Sequence, residues 1–186
     1  MKVYLIRHGK TAGNLEKRYI GRTDQPLCAE GIAELSQKRY PACDAVVSSP
    51  MKRCTETAKL LFGCDKMLIC DKLRECDFGR FEGHNYNELN GDPDYQAWID
   101  SGGALPFPDG EAPEDFKRRC AEGFTEMTEQ LKDCKAVAFV VHGGTIMSVL
   151  ERFALPKVDY YDCMTDNGCG WAADWDGCAL TGAEKL

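Results

Sequence analysis

The sequence predicts an α/β protein: a three-layer α/β/α sandwich around a mostly parallel mixed sheet. Three observations predict it. Strand-like and helix-like runs alternate along the chain, which is the pattern of helices packed on both faces of a parallel sheet. Two apolar runs, Val3–Ile6 and Ala136–Val141, each lead into a histidine followed by glycine. The second is unbroken, as expected for a central strand buried on both faces. Near the end, Gly170–Trp175 and Cys178–Leu180 flank Asp176-Gly177. That dipeptide is a two-residue turn signal and adds an antiparallel hairpin.

In chain order, Val3–Ile6 reads as the first strand. Glu30–Tyr40 reads as a helix with Ile32, Ala33 and Leu35 on its apolar side. Asp44–Ser48 is a short strand, and Pro50 opens a helix through Leu61, because proline is favoured in the first turn. Met67–Cys70 is a further short strand, and Leu73–Glu75 extends toward the loop Cys76–Gly83. Residues 84–111 are rich in Gly, Pro, Asp and Asn, with a helical piece at Tyr95–Ile99. With the few residues before it, this stretch (about 80–111) reads as a lid-like insertion in a single domain spanning 1–186. Glu114–Leu131 carries Phe116, Cys120, Phe124, Met127 and Leu131 on one face. Thr145–Phe153 is a helix starting right after Gly143-Gly144.

A chain of 186 residues suits one domain with one substantial core. Its net charge of −7 argues against nucleic acid or an anionic membrane as a partner. An acidic protein that binds an anion must concentrate its cations locally. No apolar stretch reaches the ~20 residues of a membrane span. Met1-Lys2 leads directly into a strand, so no signal peptide is expected and the location is read as cytoplasmic. Eleven cysteines is an odd number with no Cys-x-x-Cys pair, and Cys64, Cys70 and Cys76 are spaced for neither zinc nor redox chemistry. They are read as reduced thiols serving as small apolar fillers. Nothing in the pattern calls for a metal or cofactor.

Carboxyl ends of strands are where open α/β sheets build their sites. Arg7-His8-Gly9 and His142-Gly143-Gly144-Thr145 both lie at such ends, so the two histidines are expected in one pocket. Gly9 is expected to allow a backbone turn that a side chain would obstruct. Collecting the polar groups at strand ends and adjacent helix starts gives Arg7, His8, Arg53, Glu75 and His142. Two arginines and two histidines suit phosphate, whose oxygens match guanidinium forks. The helix beginning at Gly143 aims unpaired N–H groups at the same place. Asn14 lies within reach if the chain turns back.

A neutral imidazole at His8 can attack phosphorus, with its other nitrogen fixed by a backbone carbonyl. His142 then stabilises charge on the transferring oxygens. Glu75, raised in pKa beside a phosphate dianion, protonates the leaving alkoxide and later activates water. Asp77 reads as a turn cap and His84 as a surface or rim residue. Asp77-Phe78-Gly79 matches a kinase magnesium motif, but no phosphate loop accompanies it.

The motifs together resemble the histidine phosphatase superfamily, with its phosphoglycerate mutase-like fold. They are Arg7-His8-Gly9-Lys10-Thr11 with Asn14, Gly21-Arg22-Thr23-Asp24-Gln25-Pro26-Leu27 with Gly31, and Ser48-Ser49-Pro50 through Arg53 to Thr57-Ala58. Leu73-Arg74-Glu75, Phe78-Gly79, Glu82-Gly83 and His142-Gly143-Gly144 follow in the family's order. The resemblance implies that His8 is phosphorylated, that Arg7, Arg53 and His142 bind the phosphoryl group, and that Glu75 is the proton donor. It implies a phosphate contact from Asn14, backbone donors at Gly21 and Gly143, and no metal. Within the family, Phe78–Gly83 and Phe107–Glu111 are similar to the small bacterial phosphatases, which include alpha-ribazole phosphatase. Cofactor-dependent mutases carry a paired-arginine loop in the insertion, whereas Arg118-Arg119 lies inside a predicted helix. Ile20 stands where relatives often place Thr or Gln.

The expected activity is therefore hydrolysis of a small phosphorylated metabolite through phosphohistidine. The alternatives are a phosphoglycerate mutase and a non-catalytic module that binds phosphorylated ligands. Tyr86, Tyr95, Trp98 and Phe107 read either as an aromatic wall for a nucleoside-like substrate or as the insertion's own small core. Trp171 and Trp175, on the terminal hairpin, are candidates for packing against a partner.

Overall fold

The computed structural model describes residues 1–63 and 66–186; Cys64, one of the cysteines read as fillers, lies outside the described residues. Its strands are β1 (Lys2–Arg7), β2 (Ala45–Ser48), β3 (Leu68–Ile69), β4 (Ala136–Val141), β5 (Ala154–Leu155), β6 (Gly170–Trp175) and β7 (Leu180–Lys185). Its helices are α1 (Ala12–Leu15), α2 (Ala29–Ser36), α3 (Lys52–Phe62), α4 (Pro93–Asp100), α5 (Pro113–Gln130) and α6 (Gly143–Phe153). The strands form one sheet in the order β3-β2-β4-β1-β6-β7-β5. β3, β2, β4 and β1 run parallel, and β6 joins β1 antiparallel. The sheet is thus mixed and mostly parallel, as the alternation of elements predicts.

Both faces are covered. In β4, Val137, Phe139 and Val141 point to one side, where Phe124 of α5 and Ile146, Val149 and Leu150 of α6 meet them. Ala138 and Val140 point to the other, against Cys54 and Ala58 of α3. Two-residue periodicity sends alternate side chains to opposite faces, so a strand covered on both sides has to be apolar throughout. Each fully buried side chain of this size contributes about 1.5–3 kcal/mol. Cys54, Cys70 and Cys163 lie in these two clusters as small apolar groups. A third cluster holds Cys76, Phe81, Leu89, Phe107, Phe116 and Cys120 beneath the 78–111 region.

Several local expectations need correction. Pro50 lies outside α3, which starts at Lys52 behind an extended Met51. α2 stops at Ser36 rather than Tyr40; only Gly31 and Leu35 of it are buried, and Tyr40, beyond its end, packs on the second cluster and donates to the Gly168 carbonyl. The terminal hairpin does not turn on Asp176-Gly177 alone. Asp176 Oδ1 accepts from the Cys178 and Ala179 N–H groups, which makes a wider side-chain-closed turn. β7 then runs to Lys185. Trp175 is not available to a partner, because it packs inside against Phe124 and Phe153. Trp171 is half-buried and donates its indole N–H to the Cys163 carbonyl.

Phe124 is fully buried and touches Phe139, Phe153 and Trp175. Phe124→Ala should destabilise the fold by about 3–5 kcal/mol, read as a lower midpoint in urea unfolding.

Candidate active site

β1 and β4 are parallel neighbours with Arg7 opposite Val141 in register. The residues that follow, His8 and His142, therefore leave the sheet side by side. Their rings sit edge to face with centroids 5.2 Å apart. Both are buried. Gly9 has no left-handed backbone angles, so the expected need for a turn is not the reason for glycine there. A Cβ at that position would come 2.5 Å from the Leu35 side chain, and close packing excludes one.

Polar contacts set the imidazole tautomers. His8 Nδ1 lies 2.7 Å from the Gly9 carbonyl, which can only accept, so Nδ1 carries the proton and Nε2 keeps its lone pair. Arg53 Nε lies 3.4 Å from His142 Nδ1 and can only donate. His142 Nε2 therefore carries the proton and donates to Ser49 Oγ at 2.8 Å. Burial first, then the positive charges of Arg53 and Arg7, hold His8 well below its ordinary 6.5. Burial and Arg53 do the same to His142. Both rings are neutral at neutral pH.

The arginines are held by carbonyl groups rather than carboxylates. Arg53 is completely buried at the start of α3. It donates to the carbonyls of Thr23 and Gly21, each at 2.8 Å, and to Ile20 at 3.4 Å. Arg7 donates one nitrogen to the Thr165 carbonyl at 2.8 Å, and its Nε is buried with no partner. Among the described residues, no carboxylate comes within ion-pair distance of either guanidinium. Leaving a buried charge uncompensated costs several kcal/mol. The site is thus built for an anion.

Glu75 reaches the same place from the loop after β3. Its carboxyl accepts from the N–H of Cys76 at 3.0 Å and of Gly144, in the first turn of α6, at 3.3 Å. Burial raises its pKa above the ordinary 4.5, against the opposing pull of those N–H groups and of Arg53 and Arg7. A Cβ at Gly144 would stand 2.5 Å from Glu75 Oε1, so only glycine lets the carboxyl approach the helix end. Gly143 lies against Arg7, where an added Cβ would sit 3.5 Å from Arg7 Nε. The orphan donor and the helix N-terminus thus face one spot.

Asn14 and Gly21 do not join this group directly. Asn14, the third residue of α1, completes the capping box of the N-cap Thr11: its Oδ1 accepts from the Thr11 N–H at 3.0 Å and from Asn167 at 3.4 Å. Asn167 also donates to the His8 carbonyl at 3.0 Å. Gly21 is within reach, but its N–H is taken by both oxygens of Glu82 at 3.0 Å, and it is the Gly21 carbonyl that serves Arg53. Asp77 accepts from the Gly79 N–H as a turn cap. His84 is exposed. Residues not picked out from sequence include Ser49, Thr165, Asn167 and Thr57, whose hydroxyl accepts from the Gly9 N–H at 2.9 Å. Ser49 and Thr57 stand inside the Ser48–Ala58 motif, which was the available signal; Thr165 and Asn167 stand in no motif.

Arg7, Glu75, Gly143 and Gly144 line one end of a cavity of about 440 Å³. Tyr19, Phe78, Trp98, Phe107 and Phe116 wall its other part. Phe107 and Phe116 belong to the third core cluster, with Tyr95 and Trp98 packed on it. Trp98 and Phe107 thus line the cavity and also pack in the insertion's own cluster, Tyr95 packs there without lining the cavity, and Tyr86 is exposed. Chemically, a neutral imidazole with a free lone pair, two unpaired guanidiniums and a carboxyl biased toward its protonated form suit transfer of a phosphoryl group to nitrogen.

The family model described as histidine phosphatase superfamily (branch 1) matches residues 3–181. The adenosylcobalamin/alpha-ribazole phosphatase of Salmonella typhimurium is 30% identical over 183 residues, covering 93% of this chain and 89% of that one. The alpha-ribazole phosphatase of Shigella flexneri shares the fold with a TM-score of 0.84, at 24% identity and with 100% and 95% of the two chains covered. A phosphoglycerate mutase from Thermus thermophilus has a TM-score of 0.73 at 28% identity, covering 100% and 99%.

Hydrolysis of an alkyl phosphate should depend on pH in a way these shifts dictate. His8 must be neutral, so the acid limb of kcat/KM should fall below 6.5. Glu75 must be protonated, so activity should decline as pH rises through its raised pKa. Glu75→Gln should remove that basic limb, as read from a pH–rate profile.

Proposed function

The chain belongs to the histidine phosphatase superfamily and is a phosphatase; from that premise we propose that it hydrolyses the monoester of an aromatic, nucleoside-like alcohol through a phosphorylated His8. The observation that carries this is the buried, partnerless Nε of Arg7 at one end of a cavity whose remaining wall is aromatic, with the fully buried Arg53 held against His142. The phosphate supplies the missing negative charge, and the alcohol part lies against the rings. Aromatic faces favour a flat ring by stacking. The name of the Salmonella relative contains alpha-ribazole, an alcohol of this class, and alpha-ribazole phosphate is the proposed substrate.

His8 Nε2 attacks phosphorus and displaces the alkoxide. Arg7, Arg53 and the α6 N-terminus at Gly143 stabilise charge spread over the phosphoryl oxygens. His142 contributes an N–H in the tautomer protonated at Nδ1, in which the Ser49 hydroxyl donates to Nε2 and Arg53 Nε exchanges His142 for a phosphoryl oxygen. Glu75 gives its proton to the leaving alkoxide and, as carboxylate, takes one from the water that attacks the phosphorus of phosphohistidine. The water's oxygen ends on phosphate, the His8 lone pair is regained and Glu75 is reprotonated. General acid–base help of this kind is worth about 10²–10⁴-fold. Asn14, with its Oδ1 occupied, offers the phosphate its amide nitrogen. Gly21 contributes by holding Arg53 through its carbonyl.

A phosphoglycerate would need a further cation for its carboxylate. In the aromatic part of the cavity the cation is Lys117, which is already paired with Glu151 at 3.0 Å. Arg118 pairs with Asp115 and Arg119 with Glu111, so neither supplies a free cation there. This favours the neutral aromatic alcohol over a mutase substrate. A module that only binds phosphate would have no need of a carboxyl whose pKa burial raises beside the anion site.

His8→Ala should lower kcat for p-nitrophenyl phosphate by at least about 10³-fold. Wild-type protein quenched during turnover of labelled substrate should yield an acid-labile phosphoprotein that the variant lacks. A His8→Ala enzyme as fast as wild type would end the proposal. Among substrates, a ribosyl 5′-phosphate bearing an aromatic base should give a higher kcat/KM than 3-phosphoglycerate.

A further inference from the structure

The backbone around Glu75 has little regular structure to hold it. Asp71–Leu73 is a single 3₁₀ turn, and Arg74 beyond it is extended. Among the described residues, no backbone N–H donates to the carbonyls of Lys72, Arg74 or Glu75. Buried or half-buried carbonyls need partners from somewhere. All three find theirs in one side chain. Arg119, in the second turn of α5, donates Nη1 to the Lys72 and Arg74 carbonyls at 2.8 Å each and Nη2 to the Glu75 carbonyl at 2.9 Å.

The guanidinium is itself fixed. Its Nε and Nη2 form a two-pronged ion pair with Glu111 at 2.7 and 2.8 Å. The Phe116 ring lies against it, 4.9 Å from ring centre to guanidinium carbon. Glu111 in turn bonds to the far side of Glu75: its N–H donates to the Asp77 carbonyl at 2.9 Å, and its carboxylate accepts from the Asp77 N–H at 3.4 Å. Arg119 and Glu111 thus grip the chain on both sides of Glu75. A planar fork that makes five hydrogen bonds in fixed directions has no substitute in a flexible ammonium.

We infer that Arg119, locked by Glu111, is a positioning residue for the general acid: it holds the 72–77 segment so that the Glu75 carboxyl meets the departing oxygen of the substrate. It does not touch the reacting atoms. This rests on the reading of Glu75 as proton donor. Catalytic geometry of this kind tolerates about 0.5 Å of error, and a displacement of about 1 Å costs on the order of 10²-fold.

The test exploits what the leaving group requires. Nitrophenolate leaves without a proton, whereas the alkoxide of benzyl phosphate needs one. The ratio kcat/KM reports only the steps up to loss of that group, so later hydrolysis of phosphohistidine does not enter it. Arg119→Gln should lower kcat/KM for benzyl phosphate by about 10-fold or more and leave that for p-nitrophenyl phosphate within about twofold. Glu75→Gln, measured alongside, should show the same split more strongly. If Glu75→Gln shows no split, the assignment of the acid fails and the role of Arg119 falls with it. If Glu75→Gln splits the substrates and Arg119→Gln lowers both equally or neither, Arg119 is structural and the inference alone is overturned. Should Arg119→Gln fail to fold, Glu111→Gln takes its place: it retains the three carbonyl contacts but frees the fork, and a split of about threefold is expected. Equal fold-changes in kcat/KM on both esters for that variant would overturn the inference.

Discussion

Two arginine charges, Arg53 fully buried and Arg7 half-buried, govern this structure. Arg7 and Arg53 are desolvated, pinned by carbonyl oxygens, and left without a carboxylate at ion-pair distance among the described residues. Few arrangements are as costly in the absence of a ligand. The cost is sustained by the sheet and helix α3, whose packing fixes both side chains before any anion arrives. Their charge has further effects. It helps keep His8 unprotonated, and so nucleophilic, in a protein whose net charge is −7. It also opposes, without overcoming, the burial that raises the Glu75 pKa.

The site joins two different kinds of construction. At its phosphate end, groups sit at the ends of β1 and β4 and at the first turn of α6, where the sheet gives them precise and rigid placement. At the other end much of the wall comes from the 78–107 region, joined by Tyr19 and Phe116, and that region carries its own aromatic cluster. The rings that face the cavity also hold that region together. Phe107, for example, packs on Phe78, Phe81 and Trp98. A change in the shape of this wall is therefore a change in local stability. Recognition of the alcohol and folding of the segment are linked through the same side chains.

Glu75 is the member that neither construction supplies. It lies outside the regular ladder, and its segment borrows order from α5 through Arg119 and Glu111. The acid is thereby tied to a helix that packs against the central sheet through Phe124. A proton donor on a loop gains the rigidity of an element 44 residues away from it in the chain.

How much of this could be read from the residues follows from the range of the forces. The apolar runs Val3–Ile6 and Ala136–Val141 pointed to strands, a mostly parallel sheet and the neighbouring exits of His8 and His142, because apolar patterning and burial are local properties. The arginines, the two histidines and Glu75 were legible as a phosphate-handling set through their motifs. Boundaries such as the end of α2 at Ser36 and the start of α3 after Pro50 were not, since tertiary packing decides how far a helix is worth extending. Nor were the roles of polar partners. That the Gly21 N–H is taken by Glu82, that Asn14 completes a capping box, that Trp175 is core, and that Arg119 holds the Glu75 loop are all consequences of contacts that close only in the folded chain. The chain by itself specified which chemistry is present. Only the folded arrangement decided which atoms remain unpaired, because hydrogen bonds are satisfied in space and not in sequence.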